Sequence, residues 1–120
     1  MVVEAWTSER TDLVFHALAD PTRRDIVETV LRGGSSVSAL GRRYPMSLTA
    51  VQKHVAVLER AGLVRKHRRG REQVVTAEVE ALRDAARVLD RLESIWRDRL
   101  ERFADVLAEP TAEPTGGTTP

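Results

Sequence analysis

Residues 47–71, SLTAVQKHVAVLERAGLVRKHRRGR, decide the fold, because they read as a helix that runs straight into a short basic hairpin. Val51, Val55 and Leu58 recur at i, i+4 and i+7 and define one apolar helical face, while Thr49, Gln52, Lys53 and Ala56 fall on the opposite side. Polar side chains thus point outward together from a helix whose other face is suited to a core. Ala61-Gly62 ends the periodicity, residues 63–66 resume as a short extended run, and Arg69-Gly70 turns the chain back into Gln73, Val74, Val75 and Thr76. Ser47 stands where a helix N-cap belongs.

Charge is segregated around this stretch. Over residues 42–71 nine Lys and Arg stand against one acid, Glu59, a local excess of +8, whereas the remainder of the chain carries −7 and the whole only +1. A near-neutral chain therefore offers a polyanion one basic face, where phosphate neutralisation and counterion release supply sequence-independent affinity. A basic run alone is usually a solvated surface. Its coincidence with a helix and a hairpin favours a nucleic-acid surface instead.

The chain of 120 residues holds enough apolar side chains for one core, so a single domain is expected over residues 1–108. Residues 109–120, EPTAEPTGGTTP, lack apolar periodicity and are expected to form a disordered tail. With two Phe, one Tyr and two Trp, that core must be aliphatic. The absence of cysteine excludes disulfides, thiolate metal sites and thiol redox sensing. The opening residues MVVEAWTSER show no secretory pattern and no run approaches a membrane span, so a cytoplasmic location is expected. No catalytic constellation stands out: carboxylates alternate with Arg on helix faces, there is no glycine-rich phosphate loop, and the hydroxyls near His54 lack an orienting acid. Neither enzymatic activity nor a cofactor is expected.

Residues 8–19 read as a first helix with Leu13, Val14, Ala17 and Leu18 as its apolar stripe and Trp6 and Phe15 as bulky anchors. Asp20-Pro21 breaks it and starts the next, since Asp caps well and Pro is pre-set for the first helical position. Ile26, Val27, Val30 and Leu31 give the second helix its buried face, and Gly33-Gly34 stops it. Residues 36–44 make a short third helix holding Val37 and Leu40. Two short helices separated by Tyr44-Pro45-Met46 and followed by a strand pair form a helix-turn-helix with a wing. The predicted fold class is mainly α, with a two-stranded β wing and a long C-terminal helix.

That last helix, residues 78–107, carries Leu82, Leu89, Trp96 and Phe103 at intervals of seven, with Ala85, Leu92 and Leu100 between them. About thirty residues of helix are roughly 45 Å long, more than a domain this small can bury. A homodimer covering Leu82, Leu89, Leu92, Trp96, Leu100 and Phe103, with help from the first helix, disposes of the stripe and places two reading heads on one duplex. Glu93 with Arg97 and Asp98 with Arg102 are i,i+4 pairs for the wet side.

ALADPTRRDIVETV at residues 17–30 and MSLTAVQKHVAVLERAGLVRKHRRGRE at residues 46–72 together resemble the arsenic-repressor (ArsR/SmtB) family of bacterial winged-helix regulators. The first resembles the family's opening pair of helices, and the second its recognition helix and wing. Metal-sensing members carry Cys-x-Cys before the recognition helix or His with carboxylates on the last helix. Here residues 36–44 hold no Cys and residues 78–107 no His, so no metal site is expected. The chain looks closer to the non-metal, autorepressor-like members, whose last helix carries Trp followed by x-x-x-Leu, as at Trp96 and Leu100. The resemblance implies a repressor of double-stranded DNA at an inverted repeat; no small-molecule effector is specified. The alternative is a winged helix that binds RNA or an acidic protein.

Thr49, Gln52 and Lys53 are the candidates for base edges, because Gln pairs bidentately with adenine and Lys with guanine. His54, near the edge of the apolar face, either joins them or hydrogen-bonds within the motif. Arg68, Arg69 and Arg71 on the turn are assigned to backbone phosphate, with minor-groove insertion of one Arg the second possibility. Arg43, Ser47 and Lys66 complete the backbone set, Arg43 also complementing a helix dipole and Ser47 also capping. Arg23 and Arg24 are expected in surface or intramolecular pairs.

Overall fold

The computed structural model describes residues 9–116, with side chains as far as Ala108. In chain order the elements are α1 (Glu9–Leu18), α2 (Pro21–Arg32), β1 (Ser35–Ser36), α3 (Val37–Arg43), α4 (Leu48–Arg60), β2 (Val64–Arg69), β3 (Glu72–Ala77) and α5 (Val79–Gly116). They fall into two compact units, Met1–Ala86 and Arg87–Pro120, so the first turns of α5 belong to one and the rest to the other. Trp6, the expected anchor of α1, lies outside the described residues.

Capping fixes where the helices begin. Asp20 Oδ2 accepts the Arg23 N–H at 3.0 Å with Pro21 at the first helical position, Ser36 accepts from Ala39 N at 3.0 Å, and Ser47 accepts from Ala50 N at 3.1 Å. Each cap satisfies a backbone donor that the helix cannot, and its loss typically costs ~1 kcal/mol. The paired arginines after Pro21 close the C-terminus of α1. Arg23 Nε donates to Ala17 O at 2.7 Å and its Nη2 to His16 O at 3.2 Å, while Arg24 Nη1 donates to Leu18 O at 2.7 Å. Cationic donors on orphan carbonyls at the negative end of a helix are favourable on both counts.

The aliphatic core lies in the first unit, where Val14, Ala17, Ile26, Val30, Leu40, Val51, Val55, Leu58, Leu63 and Val75 are buried. Burial of each Val or Leu stabilises by roughly 1.5–3 kcal/mol, so the triad Val51, Val55 and Leu58 clamps α4 in a single rotation. With its inner face fixed in this way, the outer face of α4 has no freedom of choice.

The expected two-stranded wing is the antiparallel hairpin β2–β3, and β1 adds a third antiparallel strand to the sheet, in the order β1-β3-β2. Ser35 pairs with Val75 and Ser36 with Val74, a two-residue strand too short and too polar for any hydrophobic alternation to reveal. Gly34 permits that approach, since a Cβ there would stand 3.3 Å from Thr76 Cγ2 and 3.4 Å from Val75 O. The wing turn is Gly70-Arg71, one residue later than expected, between the paired Arg69 and Glu72. Gly70 has φ 63° and Arg71 does not have positive φ, the signature of a type II′ hairpin with glycine first.

In the first turns of α5, Ala81 and Ala85 are buried and Leu82 packs partly buried against the core. Leu82, a member of the expected dimer stripe, is thus partly occupied by its own unit's core. The helix also extends to Gly116, beyond the expected start of a tail at residue 109. Residues 117–120 of that expected tail lie outside the described residues.

Candidate nucleic-acid interface

The exposed side of α4 presents Thr49, Gln52 and Lys53, all solvent-exposed, so the structure brings these three predicted residues together on one accessible face. Ser47 precedes them as the N-cap, also exposed. The wing carries Arg68 and Arg69 at the end of β2 and Arg71 in the turn, all exposed, and among the described residues none of the three has an ion-pair partner. Between α4 and the wing lies a groove of about 500 Å³ lined by Leu48, Gln52 and Val55 on one side and Lys66, Arg71 and Gln73 on the other.

Three other cations of the basic stretch are tethered. Arg43 Nε donates to Asp25 Oδ2 at 3.0 Å, Arg65 Nε stands 3.2 Å from Glu78 Oε2, and Lys66 Nζ stands 3.9 Å from Glu59 Oε1. Glu59 also accepts the Lys66 N–H at 3.3 Å, which joins the end of α4 to the root of the wing. Arg43 and Lys66 were expected on phosphate; each reaches that role only with an internal carboxylate already beside it.

Asp25 is the centre of a clasp between α2 and the end of α3. Its Oδ2 accepts from the Tyr44 hydroxyl at 2.6 Å as well as from Arg43, and the Arg43 guanidinium carbon lies 5.9 Å from the Tyr44 ring centroid. The Tyr44 hydroxyl first, and then the Arg43 guanidinium, hold the Asp25 carboxyl below the usual carboxylate range. Burial, and then the bond to Asp25, push the Tyr44 phenol up. Tyr44 directly precedes the turn into α4, so the clasp holds the end of α3 from which the outward helix departs.

His54 takes the inward of its two expected roles. Its side chain is 21% exposed, with Nδ1 3.3 Å from Arg23 Nη1 and 3.9 Å from Asp20 Oδ2. A guanidinium only donates, so in its contact with Arg23 the Nδ1 atom is the acceptor. Arg23 thereby joins the carbonyl end of α1 to α4 through one side chain. The backbone N–H of Arg23 in turn holds the Asp20 carboxyl below its ordinary value. Nothing in a one-dimensional pattern marks Arg23 for this task, because its three partners lie 6, 7 and 31 residues away.

Leu48 is the one large apolar residue of α4 that is exposed. It lies seven residues before Val55 and so continues the apolar face of α4, yet it is 46% exposed at the mouth of the groove. One of its methyls rests over Gly41 of α3, where an added Cβ would stand 2.7 Å from Leu48 Cδ1.

In the second unit Leu89, Leu92, Ile95, Trp96, Leu100 and Phe103 are all exposed, as are Val106 and Leu107. Glu93 and Arg97 form the expected i,i+4 pair at 2.7 Å. Among the described residues no group of three or more His, Cys, Asp or Glu could hold a metal ion, and no helix is long and apolar enough to cross a membrane.

Residues 18–67 match a family model described as a helix-turn-helix domain. The chain is 35% identical over 101 residues to a Mycobacterium tuberculosis protein named HTH-type transcriptional regulator Rv2034, covering 84% of this chain and 92% of that one. An ArsR-like transcriptional regulator from Rhodococcus sp. RHA1 superimposes with a TM-score of 0.70 at 36% identity, over 86% of this chain and 96% of that one. The homodimeric winged helix-turn-helix DNA-binding domain of Mycobacterium bovis Mb0332, a possible ArsR-family regulator, superimposes at a TM-score of 0.56 with 26% identity, over 78% and 84% of the two chains.

Proposed function

The chain belongs to the ArsR family of winged helix-turn-helix transcriptional regulators, a DNA-binding family, and we propose that it acts as a homodimeric repressor at an inverted-repeat operator. The observation that carries this reading is the row Thr49, Gln52 and Lys53, held outward by the buried Val51, Val55 and Leu58, beside three wing arginines that have no ion-pair partner among the described residues. A reading helix of this kind enters the major groove while the hairpin cations straddle phosphate. Thr49, Gln52 and Lys53 contact base edges; Arg68, Arg69 and Arg71 anchor the backbone; His54 positions the helix through Arg23. Arg43 and Lys66 are minor phosphate contacts because Asp25 and Glu59 already neutralise them.

Homodimerisation uses the face of α5 from Leu89 through Phe103, supported by its exposure and by the homodimeric Mycobacterium bovis neighbour. Two-fold symmetry then makes the operator palindromic, and repression follows from occupying the polymerase's site. The protein is cytoplasmic, a regulator and not an enzyme, and of the non-metal-sensing kind, since a chain with no cysteine and three dispersed histidines supplies no soft ligand cluster. Duplex DNA is favoured over RNA or an acidic protein by the kinds of protein the chain resembles.

The test is selection of random duplexes by the full chain, followed by footprinting and competition with single- and double-stranded RNA. Enrichment of one inverted repeat, protected symmetrically and not displaced by RNA, is the expected result. Recovery of RNA-sensitive or sequence-indifferent binding would overturn the assignment.

A further inference from the structure

We propose that Leu48 is a specificity-determining residue that reads the 5-methyl group of a thymine in each half-site; this rests on the DNA-binding reading above. Leu48 is the first residue of α4, directly after the Ser47 cap, and the first turn of a reading helix is the part that approaches base edges. A leucine left 46% exposed there contrasts with Val51, Val55 and Leu58 of the same helix, at most 1% exposed, and with the partly buried Val57.

Its position on the helix defines what it can touch. At 3.6 residues per turn, Leu48 lies on nearly the same line as Val55 and one turn before Gln52, at the border between the buried and the outward faces. Gly41 completes the seat: without a side chain on α3 at that point, Leu48 Cδ1 settles against the backbone and the rest of the side chain faces the groove shared with Gln52 and Arg71. The result is a fixed apolar knob beside a carboxamide. In the major groove the only apolar group presented by the four bases is the thymine methyl, whereas the amide of Gln52 matches N6 and N7 of adenine. The rise along one helical turn, about 5.4 Å, corresponds to between one and two base-pair steps. Leu48 and Gln52 therefore read A·T pairs that are adjacent or one step apart.

The probe is the duplex enriched from random DNA by the full chain, in which each thymine is replaced in turn by deoxyuridine, symmetrically in both half-sites. This removes one methyl per half-site and leaves every hydrogen-bonding edge unchanged. At one thymine position the wild-type protein should lose about fourfold in affinity per methyl, and so about fifteenfold for the pair. Leu48→Ala should bind the thymine and uracil duplexes equally, while Leu48→Met should keep a preference for thymine. Gly41→Ala, which displaces the Leu48 methyl but leaves the helix intact, should weaken that preference without unfolding the protein. A leucine that merely packs on Gly41 would not alter the thymine-to-uracil ratio. A flat uracil scan with wild type, or an undiminished ratio in Leu48→Ala, overturns the inference alone. Failure to enrich any duplex would overturn the functional reading and this inference with it.

Discussion

Arg69→Gln should change how binding depends on salt and leave operator preference in place, whereas Arg43→Gln and Lys66→Gln should change it little. The distinction comes from pairing. Arg68, Arg69 and Arg71 are exposed and have no ion-pair partner among the described residues, while Arg43 and Lys66 stand 3.0 Å and 3.9 Å from carboxylates. Each phosphate neutralised on B-DNA contributes about −0.9 to the slope of log K against log salt. In a two-fold dimer one substitution removes two contacts, so Arg69→Gln should flatten the slope by about 1.8. Replacing all three wing arginines removes six, about 5 units of slope, equal to a roughly thousandfold smaller loss of affinity between 50 and 200 mM salt. For Arg43 or Lys66 the change should stay below about one unit, since an internal carboxylate already offsets much of the charge.

Fluorescence anisotropy with the enriched duplex and with a shuffled one, at several salt concentrations, measures all of this, with circular dichroism to verify folding. Equal flattening by Arg43→Gln and Arg69→Gln would refute the division into tethered and free cations. A wing variant that lost preference for the enriched duplex at constant salt slope would show the hairpin to be a reader.

Gln52→Ala or Lys53→Ala should cost about 1–3 kcal/mol on the enriched duplex and little on the shuffled one in the same titrations. The double variant Leu89→Glu, Trp96→Glu should sediment as a monomer or unfold; a folded dimer would place the interface elsewhere. Zinc, cadmium or arsenite should leave operator affinity unchanged, and micromolar, stoichiometric metal binding that shifts it would be the contrary result. Asp25 is held below its ordinary value of 3.8, so its contribution to stability is fully present above that pH and is lost as pH falls through the lower folded value. Asp25→Asn should therefore reduce stability at neutral pH and weaken the pH dependence below about 3.8, read by circular dichroism during acid titration; an unchanged acid limb would mean that the clasp contributes nothing.

The parts of this molecule legible in the sequence are those encoded by periodicity and capping. Val51, Val55 and Leu58 predict the buried face of α4, and Asp20-Pro21, Ser36 and Ser47 stand at the observed helix starts. The outward row Thr49, Gln52 and Lys53 follows from that same periodicity and is exposed as expected. Contacts between distant residues were not legible. The β1 strand is two serines, whose pairing with Val75 and Val74 depends on a glycine leaving room rather than on any pattern of their own. Leu82 fits the heptad stripe as well as Leu89 does, yet it packs partly buried against the core of the first unit. His54 could have pointed either way on helical geometry, and Arg23, reaching across from α2, decided it.

Folding also revises the electrostatic argument that the sequence suggests. Counted along the chain, residues 42–71 have an excess of +8 with Glu59 as their one acid. In three dimensions Asp25 and Glu78, from outside the stretch, pair with Arg43 and Arg65, which lowers the local excess to +6. The neutralised cations share a location: Arg43 ends α3, while Arg65 and Lys66 form the root of the wing. There they hold elements together. Among the described residues Arg42, Lys53, Arg60 and the three wing arginines have no ion-pair partner; of these, Lys53 lies on the outward helix face and Arg68, Arg69 and Arg71 at the hairpin tip. A cation near the frame is within reach of carboxylates on neighbouring elements, whereas one at a hairpin tip has only solvent around it until a polyanion arrives. Position in the fold therefore sorts one basic sequence into a structural set and a binding set, and the salt slope, which counts phosphate contacts, should respond only to the second.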